Sequence, residues 1–133
     1  MYLEKQYRNR FKIASKGRVL LMVSAMASCV SLSYAAPTGG VVSSGSATIN
    51  TSGMNTTINQ STQKAIINWQ DFSIGKNETV DFKQPNASAI TLNRVVGSNK
   101  SILEGTLNAN GKVYLVNQNG VLISKGAKVS VYG

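Results

Sequence analysis

Residues 79–96 read Thr-Val-Asp-Phe-Lys-Gln-Pro-Asn-Ala-Ser-Ala-Ile-Thr-Leu-Asn-Arg-Val-Val. Apolar and polar residues alternate on both sides of a turn-forming segment, which is the pattern of two short β-strands. We expect Val80 and Phe82 to face the core in the first strand, and Ile90 and Leu92 to do so in the second. Each strand then buries only two or three side chains, so neither is stable alone.

Similar runs, rich in β-branched and aromatic residues and separated by Asn, Gly, Ser and Lys, recur on both sides of this segment. The Gly-, Ser- and Thr-rich segment 37–53 predicts a loose lead that contains only the first strand. No stretch has a convincing helical period, so the domain is predicted to be all-β. The predicted strands are 47–50, 56–58, 65–69, 79–82, 89–96, 101–107, 112–117, 121–124 and 128–131.

Two architectures suit such a series of strands. Stacked as successive coils of a parallel β-helix, the runs give a continuous narrow core with Asn, Thr and Ser outside. An antiparallel meander is the alternative, because Asn110-Gly111 and Asn119-Gly120 are strong hairpin signals. We favour an incomplete β-helix with at least one local hairpin. Its predicted core is Ile67, Trp69, Val80, Phe82, Ile90, Leu92, Val113, Leu115, Val121 and Ile123.

The first third of the chain has the composition of a long signal peptide. Six Lys and Arg residues lie within residues 1–18, where Glu4 is the only acid, and an apolar run follows at 19–32. Ser33 and Ala35 are the small residues that a signal peptidase recognises. Cleavage is therefore predicted between Ala35 and Ala36.

Two other interpretations of this segment are weaker. A membrane anchor needs about twenty apolar residues, whereas the run at 19–32 is shorter and is interrupted by serines. A lipoprotein would carry its lipid on Cys29, but Met26 stands where leucine is usual. Cys29 is the only cysteine of the chain, so the mature domain would have no disulfide.

Loss of the signal segment would also change the charge. The whole chain has a formal charge of +9, whereas residues 36–133 hold eight cations and four acids, a net charge of +4. The eight cations are scattered singly rather than clustered with aromatic residues. This distribution argues against nucleic-acid binding.

Residues for common catalytic chemistry are scarce. The chain contains no histidine and, after residue 35, no cysteine, which removes the usual base and the usual thiol nucleophile. Calcium and glycosidase sites need converging carboxylates. We expect no enzyme activity, no metal and no cofactor. The four scattered acids are Asp71, Glu78, Asp81 and Glu104.

Six Asn-x-Ser/Thr tripeptides are a modest excess over chance. They are candidate glycan acceptors on exposed turns. Polar β-helix faces built from Asn, Ser and Thr explain the pattern better. The asparagines are Asn50, Asn55, Asn59, Asn77, Asn86 and Asn99.

Three ordered blocks resemble the secretion domain of two-partner secretion exoproteins, the group of filamentous haemagglutinins, high-molecular-weight adhesins and haemolysins. The first block is 57–75, in which Ile-Asn-Trp leads to Phe-Ser-Ile. The second is 80–95 and ends in Asn93-Arg94-Val95. The third is 102–121 and ends in Asn117-Gln118-Asn119-Gly120-Val121, where the family commonly has Asn-Pro-Asn-Gly followed by Ile or Val.

One residue departs from the family pattern. Gln118 stands where proline is usual. Proline would preset φ for a type I turn, so Gln118 should leave the turn possible but less rigid.

The resemblance implies a right-handed parallel β-helix that acts as a secretion address and folding nucleus, not as a catalyst. Residues 1–35 would be the signal peptide, handled by the general secretion machinery and signal peptidase, and 36–133 the N-terminal part of the secretion domain. The protein would pass through the periplasm to the cell surface or medium. A dedicated outer-membrane β-barrel transporter with periplasmic recognition domains would recognise it, with the two motif segments, Asn93 to Val95 and Asn117 to Val121, as recognition residues.

Family secretion domains usually run further and precede a long passenger, so we expect this chain to be an incomplete part of such a protein. The alternative function is a small self-contained β protein that binds a surface or a carbohydrate. A reading frame that continues past Gly133, or a neighbouring gene for an outer-membrane barrel, would distinguish the two.

Overall fold

The computed structural model describes residues 35–132, in which all the regular structure is β. Apart from Ala35, the predicted signal peptide lies outside the described residues. Within residues 35–132 there is no helix long and apolar enough to cross a membrane. The strands are β1 Val41–Ser44, β2 Ala47–Ser52, β3 Asn55–Gln60, β4 Lys64–Trp69, β5 Thr79–Lys83, β6 Ile90–Val95, β7 Ser101–Leu103, β8 Thr106–Ala109, β9 Lys112–Val116, β10 Val121–Ile123 and β11 Lys128–Ser130.

The strands form three sheets that the chain visits in turn. Sheet 1 has the order β2-β3-β5-β8-β11, sheet 2 the order β1-β4-β6-β9, and sheet 3 contains β7 and β10. Every pairing between successive coils is parallel, so that Asn55, Thr79, Thr106 and Lys128 lie in one aligned row of sheet 1. The result is a parallel β-solenoid of about 3 turns. The predicted parallel β-helix is confirmed.

Two antiparallel strands cover the start of the solenoid. β1 pairs with β4, and β2 forms a hairpin with β3 through a turn at Gly53 and Met54. These strands pair with the backbone groups that the first coil would otherwise leave open. The segment 37–53 is therefore not a loose lead, and β1 is a strand that sequence analysis missed.

The structure has a hairpin between β2 and β3, and not at the two Asn-Gly pairs that predicted one. Both Asn-Gly pairs lie at corners where the chain passes from one sheet to the next, between β8 and β9 and between β9 and β10. Gly120 has a φ of 109°, so its turn uses the conformation that makes Asn-Gly a hairpin signal. The direction of the next strand is set by coil stacking instead.

The core is a narrow apolar column between the three sheets. Trp69 and Phe72 pack edge to face with ring centroids 5.4 Å apart. Four predicted core residues, Ile67, Trp69, Val80 and Phe82, are buried, while Val113 and Leu115 are half-buried and pack on the column. Its buried members are Ile58, Ile67, Trp69, Phe72, Ile74, Val80, Phe82, Val95, Leu103 and Leu107.

The predicted phase of β6 is wrong by one residue. Thr91 and Asn93 are fully buried, whereas Ile90 and Leu92 face outward and are half-buried. The pairing of β6 with β4 and β9 fixes this phase, and the inward polar groups have hydrogen-bond partners in the core. A buried polar residue with its hydrogen bonds satisfied is tolerated.

Two further expectations fail near the end of the described range. The run predicted as one strand over 101–107 is two strands, because Gly105 turns a corner at which an added Cβ would lie 2.2 Å from the carbonyl oxygen of Gly75. Val121 and Ile123 are exposed, not buried. Their strand, β10, has β7 as its neighbour, and no described coil covers its other side.

Candidate recognition site

The two motif segments lie on successive coils. Asn93, Arg94 and Val95 end β6, and the Asn117–Gly120 segment follows β9. β6 and β9 are parallel neighbours with Arg94 aligned to Val116. The coil stacking therefore brings together residues that are more than twenty positions apart in the sequence.

Asn93 points into the core, where it links coils. Its Oδ1 accepts a 2.8 Å hydrogen bond from the indole nitrogen of Trp69, and its Nδ2 donates to the backbone oxygen of Tyr114 at 3.2 Å. Its side chain is fully buried, and Val95 beside it is also buried. Asn93 therefore holds the coils in place and offers no surface to a partner, whereas Val95 keeps 6% of its surface exposed.

Arg94 points the other way, into solvent. Its Nε donates a 3.0 Å hydrogen bond to Oδ1 of Asn68, the aligned residue one coil below. A shallow groove of about 390 Å³ runs beside the guanidinium. The groove is lined by Asn68, Arg94, Val95, Val96, Val116 and Gln118, so both motif segments contribute to it.

The segment Asn117–Gly120 is a tight turn. The backbone nitrogen of Gly120 donates to the carbonyl oxygen of Asn117 at 3.0 Å, and Oδ1 of Asn117 accepts from the backbone nitrogen of Asn119 at 2.9 Å. Gln118 is exposed at the second turn position. The turn thus forms with glutamine in the place of proline, and its asparagine side chains supply local hydrogen bonds.

Side chains of this turn bind the coil beneath it. Nδ2 of Asn117 donates to the carbonyl oxygen of Asn99 and to Oγ of Ser101, both at 3.0 Å. Nδ2 of Asn119 donates to the carbonyl oxygen of Gly97 at 2.8 Å. The two asparagines therefore fix the corner between sheets 2 and 3, while Gln118 remains available to a ligand.

Three groove residues were not singled out from the sequence. Asn68, Val96 and Val116 lie outside both motif segments. Asn68 and Val116 join the groove because they are aligned with Arg94, and Val96 joins it because it follows Val95 in the chain. Val121, predicted with the motif, begins β10 and is not among the groove residues. The alignment of distant strands leaves no local signal in the sequence that would have identified Asn68 or Val116.

The acidic residues do not form a metal site. Over residues 35–132 no group of three or more His, Cys, Asp or Glu side chains is placed to hold an ion. Asp81 faces outward on sheet 1, where it accepts a 3.0 Å hydrogen bond from Nδ2 of Asn108, whereas Glu78 is buried.

The six candidate glycan acceptors, Asn50, Asn55, Asn59, Asn77, Asn86 and Asn99, are all exposed. The side-chain amide of Asn86 exchanges hydrogen bonds with Gln63 at 2.9 and 3.2 Å. Exposure is compatible with modification and equally with a plain polar surface.

Comparison with known proteins identifies the family of the chain. The family model of the TPS secretion domain matches residues 33–133. The chain belongs to the TPS secretion domain family. This TPS domain is 48% identical over 97 residues to a heme/hemopexin-binding protein of Haemophilus influenzae strain Rd, a match that covers 73% of this chain and 11% of that protein.

Two more similar proteins also come from Haemophilus influenzae. A second Haemophilus influenzae heme/hemopexin-binding protein is 52% identical over 77 residues, which cover 58% of this chain and 8% of that protein. The crystal structure of the HMW1 secretion domain from Haemophilus influenzae superposes with a TM-score of 0.68 at 41% identity, over 71% of this chain and 25% of that one. The matched region is thus a small part of each relative. The resemblance to two-partner secretion domains is confirmed.

Proposed function

We propose that this TPS domain is the secretion-recognition domain of an exported adhesin-like protein and that an outer-membrane β-barrel transporter binds it through the groove beside Arg94 and Gln118. The observation that carries the proposal is the stacking of the two motif segments. Of their residues, Arg94 and Gln118 are exposed in the groove, whereas Asn93, Asn117 and Asn119 make bonds within the domain. A transporter would contact the first pair and depend on the others for geometry.

The fold is also suited to act as a nucleus on which further coils fold. The antiparallel strands β1 and β2 cover one end of the solenoid, and β9, β10 and β11 at the other end each present a free edge within the described range. Coils can therefore be added at one end only. Growth from this domain in one direction would order a long repetitive protein as it emerges from the outer membrane.

Export would begin with the signal peptide at residues 1–35, followed by passage through the periplasm to the cell surface or medium. The names of the two relatives assign heme and hemopexin binding to those proteins. Because the match covers about a tenth of their length, we place the activity of the exported protein outside this domain, whether it is adhesion, haemolysis or ligand binding.

Secretion assays test the proposal directly. The full chain is expressed in a Gram-negative host with and without the gene of an outer-membrane transporter of the two-partner type, and the medium and periplasm are assayed. We expect release only with the transporter. Arg94→Ala combined with Gln118→Ala should abolish release, whereas Lys83→Ala with Gln63→Ala, two exposed positions outside the groove, should not. Equal release without the transporter would contradict the proposal.

The exposed Asn-x-Ser/Thr sites are proposed as secondary acceptor sites for a sugar. Mass spectrometry of secreted protein from its own host would show a hexose or larger adduct on one or more of the six asparagines. Unmodified peptides at all six would remove this part of the proposal.

A further inference from the structure

The outer face of sheet 2 carries an aligned apolar row. Ile66, Leu92 and Tyr114 occupy one register position on β4, β6 and β9. Ile66 and Leu92 are half-buried by their neighbours, whereas Tyr114 is 52% exposed. Aligned residues on adjacent strands are about 5 Å apart, so the row is roughly 10 Å long.

The outer face of sheet 1 is different. Its aligned row of Thr57, Asp81, Asn108 and Ser130 is entirely polar. A solvated solenoid face needs no apolar residues, as sheet 1 shows. The apolar row is therefore a feature of sheet 2 that sheet 1 lacks, and exposed apolar residues in a group are a feature of contact surfaces.

Cations flank the apolar row on both sides. Lys64 and Lys112 are in the neighbouring register position on one side, separated by Ile90, and Arg94 is in the position on the other side. At the outward positions of β4, β6 and β9 there is no carboxylate. The face thus presents an apolar strip between two positive edges, which is complementary to apolar side chains flanked by carboxylates.

We infer that the outer face of sheet 2 is a second contact surface for the transporter, which binds it through a periplasmic segment whose apolar side chains are flanked by Asp or Glu. The inference rests on the proposed function and extends the contact from the groove beside Arg94 across the whole face. A protein segment fits better than a lipid surface, because Ile66 and Leu92 are half-buried and expose too little side chain to insert into an acyl layer. A complementary chain laid along the row can reach both.

Charge reversal separates this face from the rest of the domain. The full chain with Lys64→Glu and Lys112→Glu is compared with a matched variant, Lys83→Glu and Lys128→Glu, which makes the same charge change on sheet 1. The probe is the purified periplasmic region of the transporter. We expect the sheet 2 pair to weaken binding by about tenfold or more and to flatten its dependence on salt. The sheet 1 pair should change the affinity by less than about twofold.

A crosslinking experiment identifies the protein that touches the outer face of sheet 2. A photoreactive phenylalanine analogue replaces Tyr114 or, as control, Asn108 in the full chain during secretion. An adduct with the transporter from position 114 and none from position 108 supports the inference. Equal effects of the two charge pairs, an adduct from position 108 alone, or an adduct from position 114 with another part of the same protein would overturn it.

Two further measurements distinguish this inference from lipid binding and from failure of the proposed function. If the Lys64 and Lys112 variant loses binding to phosphatidylglycerol vesicles but keeps its affinity for the transporter region, the face is a lipid contact and the inference is wrong. If the unaltered chain does not bind the transporter region and is released without the transporter, the proposed function fails first. If transporter-dependent release persists in the sheet 2 variant at the normal rate and affinity, only this inference fails.

Discussion

The indole of Trp69 in β4 donates a 2.8 Å hydrogen bond to the side chain of Asn93 in β6, and both residues are buried. The same amide donates to the backbone of Tyr114 in β9. One side chain therefore joins three consecutive coils of the solenoid. This explains why an asparagine of the family motif faces the core and not the surface.

Replacement of Asn93 by Ala should destabilise the domain by about 1–3 kcal/mol, because the Trp69 N–H and the Tyr114 carbonyl lose their partners in a buried site. Urea unfolding of the full chain, followed by circular dichroism, measures the change. Trp69→Phe in the same background provides the comparison. In the Trp69→Phe background, Asn93→Ala should lower the free energy of unfolding by less than it does in the unaltered chain. We expect a coupling energy of about 0.5 kcal/mol or more. Strict additivity of the two changes would show that the bond contributes nothing.

Gln84 holds a second buried link. Its Nε2 donates to Oγ1 of Thr91 at 3.0 Å and to the carbonyl oxygen of Lys112 at 2.9 Å, and its Oε1 accepts from the backbone nitrogen of Gly111 at 2.8 Å. Gln84→Leu should cost about 1–3 kcal/mol for each backbone group left unpaired. Gln63→Leu, at an exposed glutamine with side-chain partners, should stay within about 0.5 kcal/mol. Chemical denaturation gives the unfolding midpoint of each variant. Similar midpoints for the two variants would contradict the prediction.

The sequence was sufficient to predict the fold class and most of the strands. Turn residues bounded the runs, and alternation gave the correct phase in β4 and β5, where the inward residues are apolar. The phase of β6 could not be predicted this way. Thr91 and Asn93 are inside because Gln84 and Trp69 donate hydrogen bonds to them and Gln60 accepts one from Thr91. Those partners are close only after the coils stack, so alternation of hydrophobicity favoured the wrong side.

The candidate site was predicted through the family resemblance and only in part. The motif residues were identified together, but their division into inward Asn93 and outward Arg94 follows from the register of β6 between its neighbours. Asn68 and Val116 were missed because they join the groove through alignment with Arg94 and not through any motif of their own. Pattern analysis identifies segments, whereas coil stacking decides which side chains share a surface.

Gln118 offers a stabilising substitution. It occupies the second position of the Asn117–Gly120 turn and is exposed, and proline is the residue that this family commonly has there. Gln118→Pro should raise the free energy of unfolding by about 0.4–1 kcal/mol, since proline restricts the unfolded chain at a position suited to its φ. Thermal melting gives the measurement. Gln70→Pro, an exposed glutamine whose backbone nitrogen donates to Thr38, should instead destabilise. A lower melting temperature for Gln118→Pro would mean that the turn does not accept φ near −65°.

The predicted signal peptide has a chemical test. Intact mass spectrometry of exported protein should give a chain that begins at Ala36 and carries no lipid. Ala35→Arg should block cleavage, because the peptidase site accepts only small residues, whereas Cys29→Ser should leave cleavage unchanged. A diacylglyceryl adduct on Cys29, or export with residues 1–35 retained, would refute the prediction.

The last described coil exposes apolar residues at open strand edges. Val121, Leu122 and Ile123 of β10 are 43%, 52% and 58% exposed, and Val129 of β11 is 48% exposed. Within residues 35–132, β10 pairs only with β7 and β11 only with β8. Unpaired edges with apolar side chains favour pairing with another chain. We therefore expect the protein to self-associate through this end in the absence of further coils.

Sedimentation velocity over a hundredfold concentration range measures this association. Ile123→Lys with Val129→Lys should shift the protein toward monomer, because these residues take the inward register positions of Leu103 and Leu107, where a stacked coil would bury each lysine. Val41→Lys serves as the matched control, since Val41 is 64% exposed at the opposite, capped end. An extension with downstream coils should act like the lysine pair and also raise the melting temperature, because the added coil covers the same side chains. A contrary result would be an unaltered protein that stays monomeric at high concentration and melts sharply. The last coil would then be stable without a neighbour, and the open edge would not direct growth of the solenoid.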